Sequence, residues 1–237
     1  MRAVSLAGGR GTRLAPYTTV FPKPLMPLGE TPIIEVVLRQ LRHFRFTRAT
    51  LTVGHLGELL RAYLDHNSAA FSGLQIDYVH ETTPTGTAGS LASISGLDET
   101  FLVMNGDVLT TLDYTELLKT HYERGAAITI ASYPREVKID LGVLQTDPEG
   151  FLTDYREKPS LDFRVSMGIY VYEPRVLKFI EPGAYLDFPT LVLRLMAAGE
   201  KVATHPFAGY WLDIGRHDDY AEAQEQFAAH RHEFHLD

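Results

Sequence analysis

The sequence predicts an α/β fold, in which a mostly parallel mixed sheet carries helices on both faces. Short apolar runs rich in β-branched residues alternate with segments whose apolar residues recur at helical spacing. Three glycines within four residues, at positions 8, 9 and 11, separate the first apolar run from the first long helical segment. With 237 residues, of which 45% are hydrophobic, the chain can bury one large core. Such alternation is typical of parallel sheets, because each parallel connection needs a crossover.

The first half of the chain has the most regular alternation. Apolar runs predict strands at residues 3–6, 49–53, 74–79, 101–105 and 126–133. Helical spacing of apolar residues predicts helices at 32–41, 56–66, 87–94 and 112–122. A strand, a helix and the next strand therefore repeat as βαβ units.

The second half is less regular, with a soft boundary near residue 135. Strands are predicted at 142–145, 151–156, 166–172, 202–206 and 210–212, and helices at 187–198 and 218–229. We expect this half to add strands and a lid that form the other side of one shared cleft. Since the sequence contains no low-complexity linker, we interpret residues 1–237 as a single domain.

Composition argues against several classes of protein. The formal net charge of −8 disfavours non-specific nucleic-acid binding, which requires a basic surface. No apolar run approaches the roughly 20 residues that span a bilayer, and the N-terminus has no signal-peptide pattern. The absence of cysteine excludes disulfides and thiolate-based metal sites. We therefore expect a cytoplasmic protein that binds neither membranes nor nucleic acid.

The glycine-rich stretch at residues 8–11 follows the first predicted strand. Its glycines let the backbone turn sharply and bring N–H groups close to an anion, although a plain tight turn would show the same glycines. Arg13 can donate two parallel hydrogen bonds to phosphate, and Lys23 adds a compact positive charge. No Gly-Lys-Ser/Thr follows, so this is not a Walker A loop, and Leu14 stands where a dinucleotide fingerprint needs its third glycine. These residues predict a polyphosphate ligand.

The stretch continues into a longer string of characteristic spacing. The residues that carry it are Gly9, Gly11, Thr12, Arg13, Leu14, Pro16, Thr18, Pro22, Lys23, Pro24 and Leu25. At these positions the chain resembles the signature of the sugar-1-phosphate nucleotidylyltransferases, G-x-G-T-R-L-x-P-x-T-x-x-x-P-K-P-L. The resemblance implies a Rossmann-like fold of the nucleotide-diphospho-sugar transferase type. It also implies nucleotide-binding roles for Leu6, Gly8, Gly9, Gly11 and Thr12, and catalytic roles for Arg13 and Lys23.

Two aspartates stand at the ends of predicted apolar strands. Asp107 closes the run Met104-Asn105-Gly106-Asp107, and Asp213 closes Tyr210-Trp211-Leu212-Asp213. In parallel sheets, ligands bind outside the carboxyl ends of strands, so we expect both side chains at the crevice that holds the glycine-rich loop. An aspartate at a strand end is also common as a turn residue or helix N-cap. Beside a polyphosphate, however, two carboxylates suit Mg²⁺, and the resemblance implies that both are catalytic metal ligands.

The segment Glu81-Thr82-Thr83-Pro84-Thr85-Gly86-Thr87-Ala88-Gly89 is predicted as a strand end, a loop and a helix start. A capped surface loop has a similar composition. The resemblance implies that this segment holds the nucleobase, through Glu81, Gly86 and Thr87. An ionised Glu81 accepts hydrogen bonds but donates none, which suits the adjacent N1–H and amino group of guanine. Uracil and thymine, with one donor between two acceptors, suit an amide better, so the sequence favours GTP.

Motifs in the second half resemble the sugar-phosphate site of the family. In Tyr155-Arg156-Glu157-Lys158-Pro159, the resemblance places Lys158 on phosphate and Glu157 on sugar hydroxyls, although the same residues also suit a solvated turn. Gly142 resembles a glycine whose backbone approaches the sugar, but Leu141 replaces the aromatic residue often found before it. Ser166 begins a run that resembles a family strand passing under the sugar.

Together these matches resemble the mannose-1-phosphate guanylyltransferase branch, without the C-terminal left-handed β-helix of many relatives. Residues 1–135 would bind the nucleotide and residues 136–237 the sugar phosphate. The expected reaction joins a sugar 1-phosphate to GMP from GTP, with Mg²⁺ as cofactor, and releases pyrophosphate. Mannose 1-phosphate or a related sugar is favoured, and the sequence leaves open whether the sugar is mannose, glucose or a heptose. The alternatives are an enzyme that uses dTTP, UTP or CTP, and a non-catalytic sugar-nucleotide sensor. The sequence leaves the oligomeric state open, with a homo-oligomer among the alternatives.

Overall fold

The computed structural model describes residues 1–236. Its strands are β1 (Arg2–Leu6), β2 (Pro27–Leu28), β3 (Thr31–Pro32), β4 (Arg48–Val53), β5 (Gln75–His80), β6 (Phe101–Asn105), β7 (Val108–Thr110), β8 (Ile128–Lys138), β9 (Val143–Thr146), β10 (Leu152–Arg156), β11 (Ser160–Tyr172), β12 (Val202–Pro206) and β13 (Trp211–Asp213). Its α-helices are α1 (Tyr17–Val20), α2 (Ile33–His43), α3 (Gly57–His66), α4 (Gly86–Gly89), α5 (Tyr114–Arg124), α6 (Phe188–Ala197) and α7 (His217–His230). Short 3-10 helices lie at Thr12–Leu14, Lys23–Leu25, Ser68–Phe71, Ser90–Ser93, Pro174–Phe179 and Arg231–Phe234. Among the helices of this described range, none combines the length and the apolar character required to cross a lipid bilayer.

Seven strands form the main sheet, in the order β12-β8-β11-β6-β1-β4-β5. β1 pairs in parallel with β4 and β6, β4 with β5, and β8 with β12, whereas β11 runs antiparallel between β6 and β8. The fold class predicted from the sequence, a mostly parallel mixed sheet, is therefore confirmed. The three middle residues of central β1, Ala3, Val4 and Ser5, are all buried because both faces of the strand are covered.

The two faces of the sheet support separate hydrophobic clusters, because side chains alternate along a strand. On β1, Ala3 belongs to the cluster that includes residues of α2, α3 and α5, whereas Val4 belongs to the cluster that includes residues of α6. Leu38 of α2 and Leu191 of α6 are both fully buried in these layers. Burial of each such leucine contributes about 1.5–3 kcal/mol, so the helices are held mainly by their apolar faces.

A third cluster positions the chain that follows the glycine-rich loop. Leu14 and Met26 pack there with Ile214, which follows β13, and with Phe227 of α7. Leu14 and Ile214 are fully buried. The segment between the loop and α2 is therefore held against the C-terminal part of the chain, and the two ends of the sequence build one corner of the molecule.

β8 and β11 continue beyond the main sheet and form, with the hairpin β9–β10, an extended arm (residues 133–166). The strand expected at 126–133 is extended in the structure, where β8 reaches Lys138, and the strand expected at 166–172 starts earlier, since β11 begins at Ser160. Residues 134–138 and 160–164 are exposed, so no buried-face periodicity marks them. Pairing with each other, from Lys138 with Ser160 onward, satisfies their backbone groups and makes them strands.

Two further elements differ from the expectation. The helix expected at residues 87–94 consists of α4, only four residues long, followed by a 3-10 turn at Ser90–Ser93. The strand that ends in Asp213 is not part of the main sheet: β13 pairs antiparallel with β7, a strand that the sequence did not predict. Strands of three residues show too little periodicity to be recognised.

A register irregularity between Ser166 and Tyr170 in β11 brings Gly168 against β6. Gly168 has a φ of +74°, in the left-handed region. A Cβ added there would lie 2.6 Å from Nδ2 of Asn105, the last residue of β6. A glycine is therefore required where the base of the arm approaches the carboxyl end of β6.

We predict that Gly168→Ala destabilises the fold more than Gly150→Ala. Gly150, between β9 and β10, has a φ of +92°, but an added Cβ would meet nothing within 4 Å. Its substitution should cost the backbone strain alone, about 1–2 kcal/mol, whereas Gly168→Ala adds overpacking against Asn105, about 1–3 kcal/mol more. Urea unfolding of the two variants measures the difference, and equal losses would contradict the prediction.

Candidate active site

Three chain exits meet at the carboxyl edge of the main sheet. β1 ends at Leu6, which is in register with Thr52 of β4 and Asn105 of β6. Because β1 lies between these two strands, the glycine-rich loop emerges between the segments that follow them. Together with the loop after β5, they form a cleft of about 290 Å³. Its lining consists of Leu6, Gly8, Gly9, Thr52, Glu81, Pro84, Thr85, Gly86, Thr87, Ser90, Asn105 and Asp107.

The glycine-rich loop is folded back on itself. Gly11 has a φ of +61°, and a Cβ added there would lie 2.9 Å from Cγ2 of Thr18. The Thr18 hydroxyl donates a hydrogen bond to the Gly11 carbonyl at 2.8 Å. This turn places Lys23 beside the loop, where Lys23 is only 9% exposed. Lys23 lines a small cavity of about 40 Å³ that shares part of its lining with the main cleft.

Lys23 and Asp107, which are 84 positions apart in the sequence, form an ion pair through Lys23 Nζ and Asp107 Oδ2. The other carboxylate oxygen, Asp107 Oδ1, is buried and has no hydrogen-bond partner within residues 1–236. A buried acceptor costs free energy unless something binds it. The site therefore contains a paired carboxylate with one oxygen available to a ligand.

Asp213 lies beside Asp107 because β13 pairs with β7. In this register Asp213 is opposite the residue that follows Asp107, and the Ile214 N–H donates to the Asp107 carbonyl at 3.1 Å. Part of Asp213 faces solvent, yet partial burial raises the pKa of its carboxyl group, and the negative charge of Asp107 raises that pKa further. Lys23 and Arg13 oppose this shift. Two neighbouring carboxylates at one edge of a cleft favour a cation between them.

Arg13 reaches the same corner from the 3-10 turn after the glycine-rich loop. Its guanidinium lies against Gly215, where an added Cβ would be 3.3 Å from Nη1. Arg13 is exposed, and its positive charge acts on Asp213 within electrostatic range. The structure thus brings together the four residues for which the sequence predicts catalytic roles: Arg13, Lys23, Asp107 and Asp213.

Glu81 and Gly8 meet at the other end of the cleft. A Cβ added to Gly8 would lie 2.5 Å from Glu81 Oε2, so a glycine is needed where the loop approaches this carboxylate. Glu81 Oε1 accepts a hydrogen bond from the Thr85 hydroxyl at 3.1 Å. Glu81 follows β5 and Asp107 follows β6, and β4 and β1 lie between those strands. Neighbouring strands are about 4.8 Å apart, so the two carboxylates belong to opposite ends of the cleft.

The loop that carries Gly86 and Thr87 is docked on the segment before α6. Gly86 has a φ of +83°, and a Cβ added there would lie 2.5 Å from the Leu186 carbonyl oxygen. Thr87 Oγ1 accepts a hydrogen bond from the Phe188 N–H at 2.9 Å. Because this oxygen already accepts a hydrogen bond within the protein, the Thr87 hydroxyl can still donate its proton to a ligand.

The cleft and the sequence-predicted nucleotide site overlap in part. Six of the predicted residues line the cleft, namely Leu6, Gly8, Gly9, Glu81, Gly86 and Thr87, whereas Gly11 and Thr12 do not. Five residues without a predicted role also line it: Thr52, Pro84, Thr85, Ser90 and Asn105. Pro84, Thr85 and Asn105 belong to sequence motifs already recognised, so the predicted residues beside them in the sequence indicate that they lie near the cleft. Thr52 and Ser90 carry no local signal, because only the sheet register and a helical turn bring them into the cleft.

The predicted sugar-phosphate residues lie on the arm and at its base. On the arm, Tyr155 stands over Gly142, where an added Cβ would overlap its ring, and its hydroxyl donates to Glu157 Oε2 at 2.7 Å. Lys158 is exposed, with a φ of +43°. Within residues 1–236, no hydrogen bond or ion pair joins Glu157 or Lys158 to the four residues with predicted catalytic roles.

Ser166 lies at the base of the arm. Its Oγ donates to the Tyr170 hydroxyl at 3.2 Å and accepts from the Gly168 N–H at 3.3 Å. Burial raises the pKa of Tyr170, and the negative charge of Asp213 raises it further. The base of the arm is therefore within electrostatic range of Asp213, whereas the arm's own Glu157 and Lys158 stand apart from the cleft.

A larger cleft of about 420 Å³ lies elsewhere, between α2 and the C-terminal turn. Glu35 and Arg39 in its wall are paired with each other at 2.8 Å, and Arg39 also donates to the Leu236 carbonyl at 2.7 Å. None of the predicted site residues that the structure describes lines this cleft. The smaller cleft is the candidate active site, because glycine turns and unmatched charges converge there.

The acidic pair Asp107 and Asp213 offers carboxylate oxygens, the ligand type that a divalent cation such as Mg²⁺ prefers. In the part of the chain that the structure describes, no group of three or more His, Asp or Glu side chains is placed to hold a metal ion. Mg²⁺ does not require such a cage, since it is commonly bound by one or two carboxylates and completes its shell with phosphate oxygens and water. The partnerless Asp107 Oδ1 and the adjacent Asp213 carboxyl group fit that arrangement.

Comparison with known proteins gives the family. The family model described as Nucleotidyl transferase matches residues 2–230 of the chain. The chain therefore belongs to the nucleotidyl transferase family, and the family resemblance found in the sequence is confirmed.

Two relatives illustrate the range of that family. The UTP–glucose-1-phosphate uridylyltransferase of Synechocystis sp. is 34% identical over an alignment of 243 positions, gaps included, which covers 94% of this chain and 62% of that protein. The mannose-1-phosphate guanylyltransferase of Mycobacterium tuberculosis is 32% identical over 225 residues, which cover 92% of this chain and 62% of that protein. The chain thus spans less than two thirds of the length of these relatives.

Solved structures share the fold at low sequence identity. A putative glucose-1-phosphate thymidylyltransferase from Bacillus anthracis has a TM-score of 0.75 at 22% identity, covering 95% of this chain and 94% of that one. HddC from Yersinia pseudotuberculosis, solved with GMP-PN, has a TM-score of 0.71 at 22% identity, covering 95% of this chain and 99% of that one. These structures support the nucleotide-diphospho-sugar transferase fold.

We predict that Lys23→Met destabilises the ligand-free protein by about 1–3 kcal/mol, because it leaves both oxygens of the Asp107 carboxylate without a partner. Adding Asp107→Asn should recover part of the loss, since the amide carries no charge to desolvate. As a control, Arg61→Met breaks the exposed Arg61–Asp65 pair of 3.6 Å and should change stability by less than about 1 kcal/mol. Urea unfolding tests this, and a Lys23→Met variant as stable as the control would show that the pair contributes nothing.

Proposed function

We propose that this chain transfers a nucleoside monophosphate from a nucleoside triphosphate, with GTP favoured, to a sugar 1-phosphate and releases pyrophosphate. The observation that carries the proposal is the convergence of Arg13 and Lys23 with the acidic pair Asp107 and Asp213 beside the glycine-rich loop. Membership of the nucleotidyl transferase family supports it. The partnerless Asp107 Oδ1 supports Mg²⁺ as the cofactor.

The proposed reaction needs alignment more than proton transfer. A sugar 1-phosphate is largely dianionic near neutral pH, because its second pKa is about 6. One of its oxygens attacks the α-phosphorus of the triphosphate in line; the new P–O bond forms as the bond to the pyrophosphate oxygen breaks. Since the nucleophile is already ionised, the residues of the site act by positioning the reactants and neutralising charge.

The glycine-rich loop and its two cations take the triphosphate in this proposal. The loop N–H groups and Arg13 bind the β- and γ-phosphates, where negative charge grows on the departing pyrophosphate. Lys23 supplies its charge at the reacting phosphates, next to Asp107. Asp107 and Asp213 would hold Mg²⁺, which when bound neutralises phosphate charge and polarises the phosphorus.

The acceptor side belongs to the second half of the chain, about residues 136–237. Lys158 binds the phosphate of the sugar 1-phosphate and Glu157 its hydroxyls, while Gly142 and Ser166 border the sugar. Glu157 and Lys158 follow each other on the exposed arm. One short segment therefore presents both a positive charge and a hydrogen-bond-accepting carboxylate to the sugar 1-phosphate. Mannose 1-phosphate is the favoured acceptor, supported by the similarity to the mycobacterial mannose-1-phosphate guanylyltransferase.

GTP is favoured because Glu81 offers only acceptors at the base end of the cleft. An ionised carboxylate matches the N1–H and amino donors of guanine side by side. UTP is the second candidate. The uridylyltransferase of Synechocystis matches this chain at 34% identity, against 32% for the mycobacterial guanylyltransferase, and Glu81 can also accept a hydrogen bond from uracil N3–H. The thymine of dTTP has the same N–H, and CTP is the remaining alternative. A non-catalytic sensor is disfavoured, because Arg13, Lys23, Asp107 and Asp213 are all present. We infer a cytoplasmic location, where such substrates are made.

The proposal is tested by a pyrophosphate-release panel that crosses GTP, UTP, dTTP and CTP with mannose, glucose and heptose 1-phosphates. We expect release with a sugar 1-phosphate, fastest with GTP. Release fastest with UTP would select the second candidate. Binding of a triphosphate without release would favour the sensor, and neither binding nor release would overturn the proposal.

Asp107→Asn and Asp213→Asn should each lower the Mg²⁺-dependent rate roughly 10²–10³-fold, because each removes a charge that holds the cation. Mg²⁺ should also raise the unfolding temperature of the wild type more than that of either variant. Asp65→Asn, at an exposed position of α3, is the matched control and should behave as the wild type. A wild-type rate in either active-site variant would remove that residue from the metal site.

Glu81→Gln should weaken the preference for GTP, because the amide presents a donor where guanine needs an acceptor. We expect the ratio of kcat/KM for GTP over UTP to fall about tenfold or more, since a bidentate pair contributes about 1–3 kcal/mol of discrimination. Glu58→Gln, at an exposed position of α3, controls for the loss of one negative charge. An unchanged ranking of the nucleotides would exclude Glu81 from base selection.

A further inference from the structure

One buried hydroxyl in the candidate cleft has no partner in the protein. Ser90 is only 2% exposed, and its Oγ makes no hydrogen bond within residues 1–236. The same residue lines the cleft. Buried polar atoms are nearly always hydrogen-bonded, so an unmatched hydroxyl in a cleft wall indicates a group reserved for a ligand.

The backbone places Ser90 at the end of the cleft that Glu81 occupies. Ser90 continues the turn of α4 with helical dihedral angles, φ −56° and ψ −29°. It therefore follows Thr87 by three residues, the spacing that puts side chains on one helical face. Ala88 and Leu91, on the other side of the turn, are fully buried in the hydrophobic core. Thr87 and Ser90 thus lie on the same, polar side of this turn.

We propose that the Ser90 hydroxyl binds the nucleobase, donating a hydrogen bond to the base carbonyl that adjoins the ring N–H accepted by Glu81. This inference rests on the proposed function and identifies a further base-binding residue. Guanine and uracil both carry a carbonyl next to a ring N–H, and an ionised carboxylate cannot donate to it. Thr85 already donates to Glu81. Thr87 Oγ1 already accepts from Phe188 and keeps only its proton for a ligand. Ser90 has both its donor and its acceptor positions free.

The chain contains a matched control for Ser90. Ser5 on β1 is 1% exposed, and its Oγ also lacks a partner within residues 1–236. However, Ser5 lies between Ala3 and Ala7, which belong to the hydrophobic cluster on the opposite face of the sheet from Ala88, and it does not line the cleft. Both serines therefore carry the same unpaired hydroxyl, but only Ser90 can meet a nucleotide.

The test compares Ser90→Ala with Ser5→Ala by calorimetric titration of the triphosphate that the wild type prefers. We expect the Kd to rise about three- to tenfold in Ser90→Ala, the loss of one neutral hydrogen bond, and to stay within twofold in Ser5→Ala. The ligand-free unfolding temperature should not fall in either variant, because each removes a buried unmatched hydroxyl. A Kd within twofold of the wild type in Ser90→Ala, with the wild type binding normally, would overturn the role of Ser90 alone. A wild type that binds none of the four triphosphates would instead overturn the proposed function.

A thio-substituted nucleotide tests which atom Ser90 contacts. In 6-thio-GTP, or 4-thio-UTP if UTP is preferred, the carbonyl oxygen is replaced by sulfur, a weak acceptor. The penalty of Ser90→Ala should then shrink to less than twofold, because the wild type has lost the same hydrogen bond. A penalty that stays the same with the thio-nucleotide would show that Ser90 does not contact this carbonyl and would overturn the assignment.

Discussion

The parallel pairing of β1 with both β4 and β6 is the constraint on which the candidate site depends. It delivers three chain exits to one edge of the sheet and puts the glycine-rich loop between the other two. The loop backbone passes so close to Glu81 at Gly8 and to Thr18 at Gly11 that a side chain at either position would clash. The Lys23–Asp107 ion pair closes the arrangement, since it joins the segment after the loop to the turn after β6.

Charge is concentrated at this edge in both signs. The chain as a whole has a formal net charge of −8, yet Lys23 is nearly buried beside Asp107. A buried ammonium is tolerated because its partner carboxylate offsets part of the desolvation cost. The second carboxyl group, Asp213, has a raised pKa because burial and Asp107 both disfavour its ionised form. A divalent cation would relieve that repulsion, so the local electrostatics and the proposed metal site have one physical cause.

The residues with predicted sugar-phosphate roles lie on strands that leave the sheet. β11 is the antiparallel member of the sheet, and with β8 it carries the arm on which Glu157 and Lys158 are exposed. The cleft is instead built into the edge of the sheet, where the backbone register sets the positions of its lining residues. A relative named as a UTP–glucose-1-phosphate uridylyltransferase matches this chain at 34% identity, and one named as a mannose-1-phosphate guanylyltransferase matches it at 32%. Within the family, therefore, proteins of different named substrate match this chain at similar identity.

The sequence by itself determined the α/β class, the glycine-rich loop with Arg13 and Lys23, and the strand-end position of Asp107, because periodicity and local spacing express these features within a few residues. Only the tertiary structure decided that β11 runs antiparallel, that the exposed strands of the arm pair with each other, and that Asp213 reaches Asp107 through β13 and β7. It also brought Thr52 and Ser90 into the cleft. These features depend on contacts between distant segments, and a contact of that kind leaves no periodic mark on either segment alone.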